Sequence, residues 1–299
     1  MSEYHVSVLL DESIKSLSIR PDGKYVDVTF GAGGHSRSIL NELSAKGHLY
    51  AFDQDEDAVE NIIHDTRFTL IEANFRYLKR FLRLEGISEV DGILADLGVS
   101  SHQLDFPERG FSYRFDAPLD MRMNIKSDMS AADLLRTYSE ESLVEILSNY
   151  GEVRNSKSLA KAIINARKFA DIKTTFDFNR VLDQNVMGLR LKYFSQVYQA
   201  LRMEVNDEIG ALKDMLEDGL AVLKPGGRFS VITFHSIEDR VVKNFFKSGN
   251  FDGEVEKDEF GNIQKPFSLV NKKVIMADSK EQKVNVRSRS AKLRVAEKI

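Results

Sequence analysis

Apolar and polar positions fall along the chain in blocks whose period keeps switching. Lys24–Val28 is a short apolar run with β-branched and aromatic residues, which predicts a buried strand. Gly31, Gly33 and Gly34 follow, and from Ser36 to Ala45 the apolar Ile39, Leu40 and Leu43 recur at helical spacing. His48–Asp53 reads as a second strand, Asp57–His64 as a helix and Phe68–Ala73 as a third strand. Leu78–Leu84 reads as a helix and Val90–Asp96 as a fourth strand ending in an acid. Ahead of these, residues 4–20 predict a lead-in and a helix with Leu9, Leu10, Ile14 and Leu17 inward, closed by the turn Pro21-Asp22-Gly23. Strand and helix in alternation imply a parallel sheet covered on both faces. Ligands of such sheets sit beyond the carboxyl ends of the strands. Gly31–His35, Asp53, Phe75 and Asp96 all fall at those ends.

After Asp96 the rhythm changes. Leu97–Leu104 reads as a loop, and Arg109–Met123 is polar and aromatic without a clear period. From Ser130 to about Tyr198 the pattern is helical, with Ser130, Ser139 and Thr174 placed as N-caps and no strand signal. The β/α rhythm then resumes with a helix over Glu204–Val222, a turn at Leu223–Gly227 and a fifth strand over Arg228–Phe234. His235–Arg240 follows that strand, Val241–Phe246 continues as a helix, and residues 249–270 read as a loop of hairpin character. A basic tail, Val286–Ala296, ends the chain. The pattern predicts an α/β domain built from residues 1–104 and 201–299, with an all-helical domain inserted over 105–200.

A strand that breaks into glycines and then opens a helix lets backbone N–H groups approach a ligand closely, because no Cβ stands in the way. An acid about twenty residues on, here Asp53, can accept both hydroxyls of a ribose. Together they point to a nucleoside-cofactor site. A tight turn without a ligand would explain the glycines alone, but not the strand, helix and distal acid around them. The dinucleotide fingerprint asks for Gly or Ala where this chain has Ser36. The G-x-G-G loop is closer to the first motif of S-adenosylmethionine (AdoMet) methyltransferases.

Composition narrows the class further. Hydrophobic content of 42% suffices for a core, and no apolar run approaches membrane-span length. The N-terminus shows no basic region followed by an apolar run, so a soluble cytoplasmic protein is expected. With no cysteine there are no disulfides, thiolate metal sites or thiol nucleophiles, and no metal-ligand cluster stands out. Net charge is −4, yet Lys272–Ile299 and Arg154–Lys192 each carry nine basic residues against three acidic ones. Two basic segments on an acidic body can face an anionic polymer such as RNA, or be solvated helix faces.

Several stretches carry a family pattern. They are His5–Glu12, Gly31–Ser36, Asp91–Ser101, Arg109-Gly-Phe-Ser112, Leu119–Met123, Gln199–Asn206, Phe234–Arg240 and Arg287–Arg294. In these, from its first ten residues to its last ten, the chain resembles the MraW/RsmH family of bacterial methyltransferases. Ser7, Val274 and Val286 depart from it, standing where the family commonly has proline. The resemblance implies a Rossmann-like, mostly parallel doubly wound AdoMet domain with a helical insert for substrate recognition. It further implies methyl transfer from AdoMet to the exocyclic N4 of one cytosine in the P-site region of 16S rRNA. By matching position, AdoMet contacts fall on Gly33, Gly34, His35, Asp53, Phe75, Asp96 and Gln103.

A cytosine amine is a poor nucleophile, so the site must hold it in line with the methyl group and accept its protons. The loop after the fourth strand, Asp96-Leu-Gly-Val-Ser-Ser, lacks the prolines and aromatic residue common among amino methyltransferases of DNA. Asp96, or a carbonyl of Leu97 or Gly98, is the expected acceptor, and His235 is a second candidate beside the base or within its own turn. Phe111, Tyr113 and Phe115 are stacking candidates. Arg109, Arg122, Arg287, Arg289, Lys292 and Arg294 are phosphate-contact candidates. A dehydrogenase, a non-enzymatic RNA-binding protein and an AdoMet enzyme acting on DNA or protein are the rivals. Ser36 and the missing second nucleotide-binding half disfavour the first, and acids at successive strand ends disfavour the second.

Overall fold

The computed structural model describes residues 7–100, 103, 104, 106–255 and 265–299. Residues 4–6 of the predicted lead-in, His102 of the loop after Asp96 and the middle of the 249–270 segment lie outside them. The chain divides into two compact units, Met1–Gly98 with Ile209–Ile299, and Val99–Glu208.

The first unit is an α/β layer structure. Its sheet contains β1 (Lys24–Asp27), β2 (His48–Asp53), β3 (Phe68–Glu72), β4 (Val90–Asp96), β5 (Leu223–Thr233), β6 (Phe267–Leu269), β7 (Ile275–Met276) and β8 (Lys292–Lys298). The order is β3-β2-β1-β4-β5-β8-β6, with β7 also on β8. Strands β1 to β5 are mutually parallel, and β8 runs antiparallel to β5, β6 and β7. The order reverses between β1 and β4, and a crevice opens at such a reversal.

Side chains that alternate along a strand explain the two covered faces. On β2, Tyr50 and Phe52 join the cluster that also holds Leu78, Leu82, Leu212, Met215, Val242 and Phe246. Leu49, one residue earlier and so on the opposite face, packs instead with Leu17, Ile39 and Leu40. One face is therefore covered by α1 (Leu10–Leu17) and α2 (Gly34–Glu42). The other lies under α3 (Leu78–Leu84), and under a long helix over 208–222 and another over 236–248.

The second unit holds α4 (Ala131–Thr137), α5 (Glu140–Asn149), α6 (Ser156–Ala166), α7 (Thr175–Asp183) and α8 (Arg190–Val205) around a core of its own. Ser130 and Thr174 close capping boxes with Asp133 and Asp177, and Ser139 caps α5 through the Ser142 N–H. The remaining helices are α9 (Glu208–Val222), α10 (Ser236–Ser248) and α11 (Ser279–Val284).

Five expectations are corrected. The segment expected as one helix over Glu204–Val222 belongs to two, α8 and α9, parted at Asn206 and at Asp207, which has a φ of +44°. Residues 56–61 form a 3₁₀ turn capped by Asp55, because the short acidic run has too few apolar positions to sustain an α-helix. The Pro225-Gly226-Gly227 turn is a bulge inside β5, where the pairing with β4 jumps from Val90↔Leu223 to Gly92↔Arg228. The basic tail is a 3₁₀ turn over Val286–Ser290 followed by β8, an interior strand whose Leu293, Val295 and Ala296 are buried. With β8 as partner, β6 belongs to the sheet and not to a local hairpin.

Candidate active site

Asp27, Asp53 and Asp96 are the last residues of β1, β2 and β4. Three carboxyls thus stand at the ends of neighbouring strands, and Asp27 is fully buried. Its Oδ1 accepts the Thr29 N–H at 3.1 Å and its Oδ2 accepts the Ser36 hydroxyl at 2.7 Å. Thr29 Oγ1 in turn accepts the Asp96 backbone N–H at 2.7 Å, so the β1 end fixes the β4 end. Asp27, Thr29 and Ser36 form this scaffold, and their role was not foreseen. An acid closing an apolar strand was the available signal.

Gly31 and Gly33 adopt φ of +51° and +75°, a region costly for residues with a Cβ. Gly33 is the N-cap of α2, and the first N–H groups of that helix have no acceptor within it. A Cβ on Gly34 would lie 2.0 Å from Ser7 Oγ, so the loop is held tightly against the lead-in.

Asp53 braces the same loop. Its Oδ2 accepts the Gly31 N–H at 2.8 Å and its Oδ1 the Asp55 N–H at 2.9 Å. Burial raises its pKa to about 6, against those two hydrogen bonds, with Asp55 and Asp27 adding like charge. Beyond it, Gln54 Oε1 accepts the Asn74 amide at 2.8 Å, tying the β2 and β3 ends together. Asn74 caps the turn that carries Phe75, whose ring is half-buried against the core.

His35 is 5% exposed. Its Nε2 is 3.1 Å from the Val8 carbonyl and its Nδ1 is 3.8 Å from Asp96 Oδ2. Burial lowers its proton affinity, while Asp27 and the Val8 carbonyl oppose that. The imidazole is therefore spoken for inside the fold, and what His35 offers a ligand at this helix end is its backbone. Asp96 has one carboxyl oxygen, Oδ1, buried and without a hydrogen-bond partner among the described residues. Burial, then the charges of Asp27 and Glu238, push its pKa well above the carboxylate range.

His235 caps α10, its Nδ1 accepting the Glu238 N–H at 3.4 Å with Nε2 3.1 Å from Glu238 Oε1. Glu238 is buried and also accepts the Phe234 N–H at 3.0 Å. His235 thus has a structural task within its own turn. Lys292 and Arg294 have one too: both reach Asp239 in the first turn of α10, Arg294 Nε at 2.7 Å and Lys292 Nζ at 3.3 Å. Arg289 is exposed and Arg287 half-buried on the turn before β8.

The remaining expected residues lie in the second unit. Gln103 is buried and shares reciprocal 3.1 Å hydrogen bonds with Ser100. Arg122 grips Asp120 with two nitrogens, at 2.8 and 2.7 Å, and Arg109 donates to the Arg122 and Met123 carbonyls. Phe111 is buried in that unit's core, which leaves its ring no open face. Tyr113 packs edge-on against Phe194 and Tyr198, and Phe115 is exposed.

A curated protein from Flavobacterium johnsoniae, named ribosomal RNA small subunit methyltransferase H, is 55% identical over 298 residues, covering 99% of this chain and 98% of that one. Its namesake from Cytophaga hutchinsonii is 56% identical over 298 residues, covering 99% of each. The sequence pattern of the MraW methylase family matches residues 2–299, and the chain is a methyltransferase belonging to that family.

Proposed function

We propose that this enzyme transfers the methyl group of AdoMet to the exocyclic N4 of one cytosine in the decoding centre of 16S rRNA, within the small ribosomal subunit. The observation that carries the reading is the set of strand ends, with Gly31–Gly34 opening α2 beside Asp53 and Asp96 on the next strand but one. AdoMet supplies an electrophilic methyl group. The glycine loop and the α2 N-terminus suit its methionine carboxylate, since N–H groups and the helix dipole favour an anion there. Asp53 suits the ribose hydroxyls and Phe75 the adenine face. Asp96, whose Oδ1 is unpartnered, suits the protons of an attacking amine. A chain without cysteine has no thiol for covalent attack on a pyrimidine ring, which favours the exocyclic amine over ring carbon. Arg289 and Arg287 are the basic residues of the first unit assigned to RNA phosphates. In the second unit, Gln103 is assigned to the cofactor by the family resemblance, and Arg109, Arg122 and Tyr113 are candidates for phosphate contact and base stacking. A base inside folded RNA must be unstacked before such a pocket can take it.

The test is to incubate the protein with AdoMet bearing a labelled methyl group and small subunits lacking the modification, then digest the RNA for mass spectrometry. N4-methylcytidine at one position supports the reading. Label in DNA, protein or another base overturns it.

A further inference from the structure

Two facts about His35 belong together. A nitrogen 3.1 Å from a carbonyl oxygen must carry the hydrogen, because a carbonyl cannot donate. His35 Nε2 is so placed against Val8, which leaves Nδ1 with a lone pair, 3.8 Å from Asp96 Oδ2. The other Asp96 oxygen, Oδ1, is buried and without a partner among the described residues. A carboxyl group with one oxygen toward a base and the other unoccupied is built to pass a proton through itself.

We propose that His35 Nδ1 receives the proton leaving the cytosine amine, handed on by the Asp96 carboxyl. The inference rests on the reading of Asp96 given above. In the step, the N4 lone pair forms the N–C bond as the C–S bond breaks, and that bond's electrons go to sulfur, which leaves as a neutral thioether. The N4 proton passes to Asp96 Oδ1 while Oδ2 gives its own proton to Nδ1. Asp96 begins and ends neutral, and the positive charge of the sulfonium ends on the imidazole. The Nδ1 to Oδ2 distance must close to about 2.6–3.2 Å for that transfer, a tightening common when a site fills.

The surroundings suit the task. Burial lowers the imidazole's proton affinity, and Asp27, at the β1 end, opposes that by placing a carboxylate near it. Asp27 itself is held by Thr29 and Ser36. From β2, Asp53 is engaged with Gly31, and from α2, Arg37 is engaged with the Ala32 and Asn61 carbonyls. Burial, then the charges of Asp27 and, from α10, Glu238, raise the pKa of Asp96. The imidazole behind it gives the leaving proton a second place to go. His35 acts through Asp96, as a positioning residue that also holds the proton.

Single-turnover methyl transfer to small subunits lacking the modification, with labelled AdoMet in excess and pH varied from 6 to 9, tests this. His35→Gln keeps a donor for Val8 and removes Nδ1, and His35→Asn places a non-basic atom near Nδ1. Circular dichroism and cooperative thermal unfolding report folding, and either folded variant decides the matter. The expected result is a loss of about 10²–10⁴-fold at neutral pH that is smaller at higher pH, against a flat profile for the unaltered chain. Unchanged rates, or a loss equal at every pH, would overturn the relay. Asp96→Asn separates the two readings: inactivity with a fully active His35→Gln sinks only the relay, whereas full activity of Asp96→Asn sinks the role of Asp96 itself.

Discussion

Burial raises the Asp53 pKa to about 6, so AdoMet binding at the proposed site should depend on pH. In the free protein the raised pKa means the folded state binds the proton more tightly than the unfolded chain. Its contribution to stability is therefore full below the ordinary carboxylate value, near 4, and is lost as pH rises through 6, about 3 kcal/mol in all. In the proposed site ribose hydroxyls would donate to the ionised form, so AdoMet affinity should rise between pH 5 and 7 and level off above. Calorimetry in buffers of different ionisation enthalpy should show proton release on binding near pH 6, absent in Asp53→Asn. Gly33→Ala should also weaken binding. At a φ of +75° an L-residue costs about 1–2 kcal/mol, and the new Cβ would meet the Phe30 ring at 2.9 Å. A lowered melting temperature with weaker AdoMet binding is expected; unchanged affinity would remove the loop from the site. Asp53, Asp96 and the glycines were legible because a strand's period says where it ends. The pairing of His35 with Val8 was not, because residues 27 apart meet only after α1 and α2 have packed.

Among elements, the helix starts were the clearest part of the sequence. Ser130 and Thr174 cap because a short side-chain oxygen reaches the third N–H of its own helix, a local geometry independent of fold. Thr174→Ala should cost about 1 kcal/mol in urea denaturation. The basic residues near the C-terminus were harder, since charge alone cannot separate an RNA contact from a clamp. Arg294 and Lys292 hold Asp239, and against the burial of its carboxyl they keep its pKa below the usual range. Asp239→Ala and Arg294→Ala should each lower stability by about 1–3 kcal/mol, and the double variant by much less than the sum. Arg289→Ala should leave stability unchanged and lessen the salt dependence of RNA binding by about one phosphate contact. Equal stability losses for Arg289 and Arg294 would contradict this division.

For the whole molecule, the last strand decides more than its position suggests. β8 is paired along β5 and also carries β6 and β7. Its Leu293 and Val295 pack with Ile232, Val8 and Leu9, joining the chain's two ends. Deleting residues 291–299 should therefore abolish folding of the α/β unit, seen as loss of AdoMet binding and of cooperative thermal unfolding. A folded, AdoMet-binding truncate would return these residues to the status of a tail. The alternation of β and α, the doubly wound sheet, the acids at the strand ends and the helical insert were all present in local periodicity, because each depends on neighbours within a few turns. Long-range pairing settled the rest. Which basic residues are bound to acids, which face of β8 is buried, and which nitrogen of His35 faces Asp96 depend on segments from opposite ends of the chain meeting. No window of the chain contains both partners.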